Sequence, residues 1–388
     1  MTELRRGGPP LPGPAPDRPS VTELRLSAFG KHRGLTVPLH PYTVLCGPSG
    51  SGKSAALRAL TALAGLGGGA TLAEVFPDPG AHVPERARPD ALGRRGFRIG
   101  CTVDGPVGPV RLDLAVQAEP ELRVVGERLA GPDVTYLETA LRDPGRRDVQ
   151  AAWHTAGSVP VTRAPFPDDL LGTALLPLRV SGRTEGQRRV LAAAEQAVVA
   201  LRSVFVCAPD PARMRTPVPA RADRLSRGCD NLAAVLHRTR AECGIRHGLL
   251  VRAAREGLAG PVTDVRAERT PDGSVRAVID RGHGLITPVE WLADGELRYL
   301  ALALVLLTGP RVLEVDAAAE VPEAYQSLTV LADGIDQGLD AVQSTELAEL
   351  AARVCARGHL RLVAALGDAS CADRAARANG AAMVDLKP

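Results

Sequence analysis

Aromatic residues make up only 3% of the 388-residue chain, and among its 47 basic residues lysine appears only at positions 31, 53 and 387. So few aromatics leave no interleaved stacking surface of the kind that grips single-stranded nucleic acid. No apolar run reaches the ~18 residues of a membrane span. The opening MTELRRGGPPLPGPAPDRPS holds Arg and Pro but no apolar core of a signal peptide, so no membrane partner is expected and the expected location is cytoplasmic. Cysteines at 46, 101, 207, 229, 243, 355 and 371 form no C-x-x-C pair, which excludes a sequence-evident disulfide or zinc framework; reduced thiols and no structural metal are expected. A net charge of +3 makes no compositional case for nucleic acid. What remains is an ordinary globular composition, 45% hydrophobic, long enough for about two to three domain-sized units.

Against that background one stretch is dense with chemistry. GPSGSGKS, Gly47 to Ser54, follows the apolar run YTVLC and precedes AALRALTALAGLGGG. The pattern G-x-x-x-x-G-K-[ST], between a strand and a helix, folds backbone N–H groups around a phosphate and adds the positive helix N-terminus. Gly47, Pro48, Ser49, Gly50, Ser51 and Gly52 would form the cradle. Lys53 would bridge the β- and γ-phosphates, and the Ser54 hydroxyl would ligate Mg²⁺. A compact ammonium suits that bridging position better than a planar guanidinium, so a rare lysine at 53 is informative. ATP with Mg²⁺ is the expected ligand.

The rest of the chain reads as mixed α/β. Residues 1–20 are expected to be a disordered proline-rich tail. VTELRLSAF alternates as a strand, GLTVPL is its hairpin partner, and YTVLC is a buried strand. Residues 70–95, rich in Pro, Gly and charge, suggest a loop or mobile insertion. GFRIGCTVDG, PVRLDLAVQAE and ELRVVGERL suggest an antiparallel meander. Helices are expected over 55–65, 185–206, 230–257, 294–307 and 341–357. A hairpin is expected around Pro271-Asp272-Gly273, and strands over 328–333 and 359–366. The boundaries that follow are an N-terminal lobe over 21–150, a helical insertion lobe over 151–285, and a C-terminal lobe over 286–388.

A second segment, LADGELRYLALAL within 289–307, resembles the signature motif of ABC-type ATPases in the form found in the SMC, RecF and OLD-like group. Three more segments are similar to that group. VTELRLSAFGKHRG matches its opening, with Lys31 and Arg33 as basic residues near the nucleotide. GERL (126–129) and SRGCDNLAAVL (226–236) resemble its E-x-L and D-G-x-N-L-A segments. SLTVLADGIDQGLD (327–340) resembles a Walker B strand ending in Asp333, followed by a D-loop that contains Asp340. The resemblance implies a P-loop NTPase, an ABC-type ATPase head with an antiparallel β subdomain and a helical insertion lobe. It implies Asp333 as a Mg²⁺ carboxylate alongside Ser54, and Asp294, Gly295 and Glu296 as a cap on the nucleotide of a second copy. A homodimer around ATP is implied, acting in DNA maintenance or defence, with a partner protein or DNA possible. RVLEVD offers a competing acid in Asp316, but only Asp333 is followed by D-loop, helix and strand in the group's order, which makes 309–326 an insertion. The stretch between meander and signature is too short for long coiled-coil arms.

Several positions depart from the pattern. Gly334 stands where the water-polarising Glu would follow Asp333. Leu366, Gly367 and Asp368 replace a Thr-His-Ser run, His359 lies at the wrong end of its strand, and Ala293 replaces the signature Ser. Hydrolysis is therefore expected to suffer more than binding. Two readings stay open: a slow ATPase in which Asp336, Glu314, Asp316 or Glu320 reaches the water, with Lys53, Asp333 and Asp336 as the catalytic candidates, or a hydrolysis-deficient nucleotide-binding regulatory or scaffold subunit. A transporter ATPase or small-molecule kinase is a third class. Arg213, Arg215, Arg221, Arg224 and Arg227 are either a DNA-contacting cluster or a solvated surface.

Overall fold

The computed structural model describes residues 18–155, 161–221, 224–315, 321–322, 325–367 and 380–386. The proline-rich tail to residue 17, the candidates Asp316 and Glu320, and Asp368 lie outside the described residues.

The chain opens with β1 (Ser20–Phe29), β2 (His32–Pro38) and β3 (Tyr42–Cys46), then α1 (Lys53–Gly67) and a short α2 (Leu72–Val75). Strands β4 (Arg95–Asp104), β5 (Val110–Glu119), β6 (Arg123–Ala130), β7 (Thr135–Ala140), β8 (Asp148–His154) and β9 (Val161–Pro167) follow, then α3 (Gly172–Arg179) and α4 (Glu185–Arg202). Next come β10 (Val204–Cys207), α5 (Pro211–Met214), β11 (Val218–Pro219), α6 (Leu232–Glu242), α7 (Gly244–Gly257), β12 (Asp264–Arg269), β13 (Ser274–Gly282) and β14 (Leu285–Pro288). The chain finishes with α8 (Asp294–Leu306), β15 (Leu328–Asp333), α9 (Ala341–Cys355), β16 (Leu360–Ala365) and β17 (Ala382–Asp385).

The described residues form three sheets. An eight-stranded antiparallel sheet runs β2-β1-β4-β5-β6-β7-β8-β9, and a five-stranded sheet, parallel at every pairing, runs β10-β15-β16-β3-β17. The third sheet joins β11 to β14 around β13. Tyr42, Thr43, Val44 and Leu45 of β3 are all buried, as expected for a parallel strand covered on both faces. One apolar core, with Leu26, Ile99 and Leu114 of the antiparallel sheet packed with Leu60 and Leu63 of α1 and Ala197 of α4, fills the space between the two large sheets. A second core covers the opposite face of the parallel sheet with α6 to α9. Helix α8 is apolar on nearly every side, with Leu297 and Tyr299 to Leu306 buried, so it can only be a central helix.

The elements differ from the sequence expectations at several places. The boundary at 150 falls inside β8, because the meander continues through β9 and is backed by α4. Within 151–285 the expected hairpin around Asp272 is β12 paired with β13, and the region also gives β9 and β10 to the two large sheets. Residues 70–83 are anchored, with Phe76 and Val83 buried and the His82 ring stacked on Phe29, whereas 84–94 form a mostly exposed loop as expected. The helix expected over 230–257 breaks at Cys243, which is extended (φ −150°, ψ 91°), and the one over 185–206 ends at Arg202, after which Val204–Cys207, with Val at alternate positions, becomes a strand.

Candidate nucleotide site

Strand β3 delivers the chain at its C-terminal end into the glycine loop, and α1 starts at Lys53. Three glycines have positive φ: Gly47 at 141°, Gly50 at 75° and Gly52 at 96°. At Gly47 a Cβ would come 2.5 Å from the Leu386 carbonyl oxygen, and at Gly52 it would meet the His32 ring at 2.2 Å, so loop curvature and close packing both demand glycine. His32 Nε2 lies 3.1 Å from the Gly52 carbonyl. The Lys53 ammonium donates to the Gly47 carbonyl at 2.6 Å and to that of Pro48 at 3.1 Å, while Lys31 Nζ donates to the Gly50 carbonyl. Ser51 Oγ is buried in the loop without a hydrogen-bond partner among the described residues. Burial and the neighbouring Asp385 raise the Cys46 thiol above its usual range, so it stays protonated beneath the loop.

Beside the loop is a cavity of about 540 Å³ lined by Gly30, Lys31, Ser49 to Ala55, Arg58, Asp333, Gly334, Gln337, Leu366 and Gly367. It lies at the carboxyl ends of β3, β15 and β16, where parallel α/β sheets bind their ligands. Lys31, Lys53 and Arg58 supply three positive charges, and Asp333 is the one carboxylate in that lining among the described residues. The lining favours a polyanion with a single metal position. Mg²⁺ fits the donor set, because this ion keeps several waters and takes one or two protein oxygens together with phosphate oxygens; Ser54 and Asp333 could supply those oxygens. No group of three or more His, Cys, Asp or Glu able to cage an ion occurs among the described residues.

Other residues singled out in the sequence lie elsewhere. Arg33 is exposed on β2 and absent from the cavity lining. Asp336 also lies outside that lining, and both its carboxylate oxygens accept from the Gly367 N–H, at 3.0 and 3.1 Å. Asp294, Gly295 and Glu296 open α8. Asp294 pairs with Arg215 at 2.7 Å, and Glu296 accepts from the N–H groups of Ala293 and Ala259, both at 3.0 Å. Ala293 is the N-cap residue of α8 and has no side-chain oxygen to offer, so only the Glu296 half of a capping box remains. Gly295 abuts the next loop so closely that a Cβ would lie 2.1 Å from the Gly338 carbonyl oxygen. Asp340 caps α9 by accepting from Gln343 N at 2.8 Å.

The remaining resembled segments are tied within the fold. Glu127 of GERL is buried and accepts from the N–H groups of Gly172 (2.6 Å) and Thr173 (2.7 Å) at the start of α3; burial raises its carboxyl above the usual range despite these bonds. In SRGCDN the Ser226 N–H donates to Asn231 Oδ1 at 2.9 Å, and Cys229 takes φ 56°. Of the five clustered arginines, Arg213 pairs with Asp230, Arg215 with Asp294, and Arg224 donates to the Val315 carbonyl. The described part of RVLEVD touches strand-like structure through a single bridge, Leu313 to Leu225, outside the five-stranded sheet.

Sequence reasoning missed His32, Arg58 and Gln337. Arg58 lies four residues after Ser54, one helical turn on, and that spacing could have exposed it. For Gln337 no sequence signal exists, because its position depends on how the loop after Asp333 turns.

No known family profile matches the chain, and no curated protein matches it. Solved structures do match. An Smc head bound to the C-winged helix domain of ScpA shares 12% identity, with 92% of each chain covered and a TM-score of 0.49. An SMC head domain from Thermotoga maritima shares 12% over 92% of each chain, with a TM-score of 0.44. An Smc head domain with an extended coiled coil, bound to the C-terminal domain of ScpA derived from Pyrococcus furiosus, shares 11% over 92% of each chain, with a TM-score of 0.48. Likeness at this level carries no functional weight, and the site stands on its own residues.

Proposed function

We propose that the cavity binds ATP with Mg²⁺ and that the chain is an ABC-type ATPase head of the RecF/OLD-like group, two copies of which close around nucleotide. The observation that carries this reading is the convergence of the glycine loop, Lys53, Ser54 and Asp333 on one cavity at the carboxyl ends of parallel strands. Backbone N–H groups of the loop and the α1 N-terminus hold the phosphates, and Lys53 exchanges its loop carbonyls for phosphate oxygens. Ser54 and Asp333 would hold Mg²⁺, which shields the developing charge on the phosphoryl oxygens. Asp294, Gly295 and Glu296 lie outside this lining, as a cap acting on a second copy would require.

A second reading, nucleotide binding without hydrolysis, is favoured by one observation: glycines 334 and 367 line the cavity where the resembled group carries Glu and His. Both readings are tested by ATP binding and turnover in the purified protein, with Lys53→Ala as control and molecular mass measured with and without ATP·Mg²⁺. Turnover lost in the control supports the ATPase head, whereas ATP-held dimers without turnover select the second reading. Absence of ATP binding would overturn both.

A further inference from the structure

We propose that Gln337 is the residue that positions the attacking water, in place of a carboxylate at position 334; the inference rests on the reading of the cavity as an ATP site. Gly334 follows Asp333 with φ 61°, and a Cβ added to it would lie 2.4 Å from Gln337 Nε2, 2.6 Å from Cδ and 2.9 Å from Cγ. The Gln337 amide thus occupies the space into which a side chain at 334 would grow. Gly334 is buried beneath it, while Gln337 itself is exposed. A turn sets this up: Gln337 N–H donates to the Gly334 carbonyl at 2.9 Å, and Gly338 at φ 73° carries the chain onward.

Only Gly334 and Gln337 of the loop 334–340 line the cavity, alongside Lys53, Ser54 and Asp333. Asp336, the alternative acid of this loop, is engaged by the Gly367 N–H. The Gln337 amide has no hydrogen-bond partner among the described residues, so its carbonyl oxygen and its two N–H groups are available to a ligand. Gly334 then provides the clearance that admits Gln337.

An amide orients water without taking its proton, as a glutamine does in some phosphate-loop GTPases. The Gln337 carbonyl accepts from the water and its N–H groups donate to a γ-phosphoryl oxygen. The water oxygen bonds to the γ-phosphorus, the bond to the β,γ-bridging oxygen breaks with its electron pair leaving on ADP, and of the water's two hydrogens one stays on its oxygen while the other ends on a second oxygen of the released phosphate.

The experiment compares the wild type with Gln337→Ala, Gln337→Glu and Gly334→Ala, all checked by thermal melting. It measures affinity for a fluorescent ATP analogue, kcat and KM, and affinity for ADP with aluminium fluoride, a mimic of the phosphoryl group in flight. For Gln337→Ala, kcat is expected to fall by about 10-fold or more with KM held within about 2-fold. Affinity for ADP–aluminium fluoride falls in parallel and affinity for ADP does not. Gly334→Ala, which displaces the amide, shows the same loss, and Gln337→Glu retains turnover. Wild-type kcat in Gln337→Ala, or a wild type that binds ATP without turning it over, overturns the assignment of Gln337. Failure of the wild type to bind ATP, or binding unaffected by Lys53→Ala, instead overturns the nucleotide-site reading.

Discussion

The glycine loop and the segment that opens α8 are the two parts of the sequence richest in recognisable chemistry, and the fold treats them in opposite ways. Residues 49–54 line a cavity with their helix N-terminus, and among the described residues Lys53 donates only to its own loop carbonyls, bonds that a phosphate can replace. Asp294 and Glu296 are bound to Arg215, Ala293 and Ala259, and Gly295 is pressed against Gly338, away from the cavity. The first motif builds its site from consecutive residues. The second is satisfied within its own chain, by one largely exposed ion pair and two backbone N–H groups, and brings no group to the cavity.

The largest expected effect comes from breaking the loop side of this comparison. Lys53→Ala removes a charged hydrogen bond worth about 1.5–3 kcal/mol, so ATP affinity measured by calorimetry should drop by roughly 10–150-fold, at one power of ten per ~1.4 kcal/mol. Unchanged affinity would mean that the loop is not the phosphate site.

Gly295→Ala tests the other side. Its Cβ would meet the Gly338 backbone at 2.1 Å, and forced overpacking of this kind typically costs about 1–3 kcal/mol. ATP-dependent self-association, followed by light scattering, should weaken while affinity for ATP at the monomer's own loop stays near wild type. A variant that associates normally would separate α8 from any interface.

Arg58→Ala against Arg33→Ala sharpens the boundary of the cavity. Exposed charges contribute about 0.2–1 kcal/mol, so a few-fold loss of ATP affinity is expected at Arg58, which lines the cavity, and none at Arg33, which does not. Equal effects would mean that the lining, as drawn, is not what the nucleotide contacts.

The smallest effect is expected at Glu127, which faces neither motif. Burial raises its folded-state carboxyl above the ordinary range, so its favourable contribution is full below the unfolded value near ~4.3 and is lost as pH rises through the raised folded value. Denaturant titrations should show wild-type stability declining over that window relative to Glu127→Gln, with ATP affinity unaffected. A constant difference between the two proteins across pH would show that the carboxyl titrates normally.

Legibility followed the range of the interactions. The strand YTVLC, the loop and the start of α1 are contiguous, and burial of β3 on both faces follows from its apolar run. The break at Cys243 was not legible, because the helical pattern on either side of it is continuous and a Cys-Gly pair gives only a weak stop. Extension of the meander through β8 and β9 was missed because the edge strand reads VTRAPFP, and its two prolines argue against a strand except at an edge, where β9 lies.

By itself the sequence determined the glycine loop, since eight consecutive residues carry their own backbone geometry and its three glycines take positive-φ conformations that other residues resist. Only the tertiary structure decided which side chains join that loop around the cavity. Asp333 enters the cavity because β15 runs parallel within the same sheet as β3, separated from it by β16. Arg58 enters through helical phase, and Gln337 through a turn that folds its amide back over Gly334. Tertiary structure also placed Asp336 against Gly367 and tied Asp294 to Arg215. These contacts join residues far apart in the chain, and no local pattern encodes which of several carboxylates reaches within hydrogen-bonding distance of a given atom.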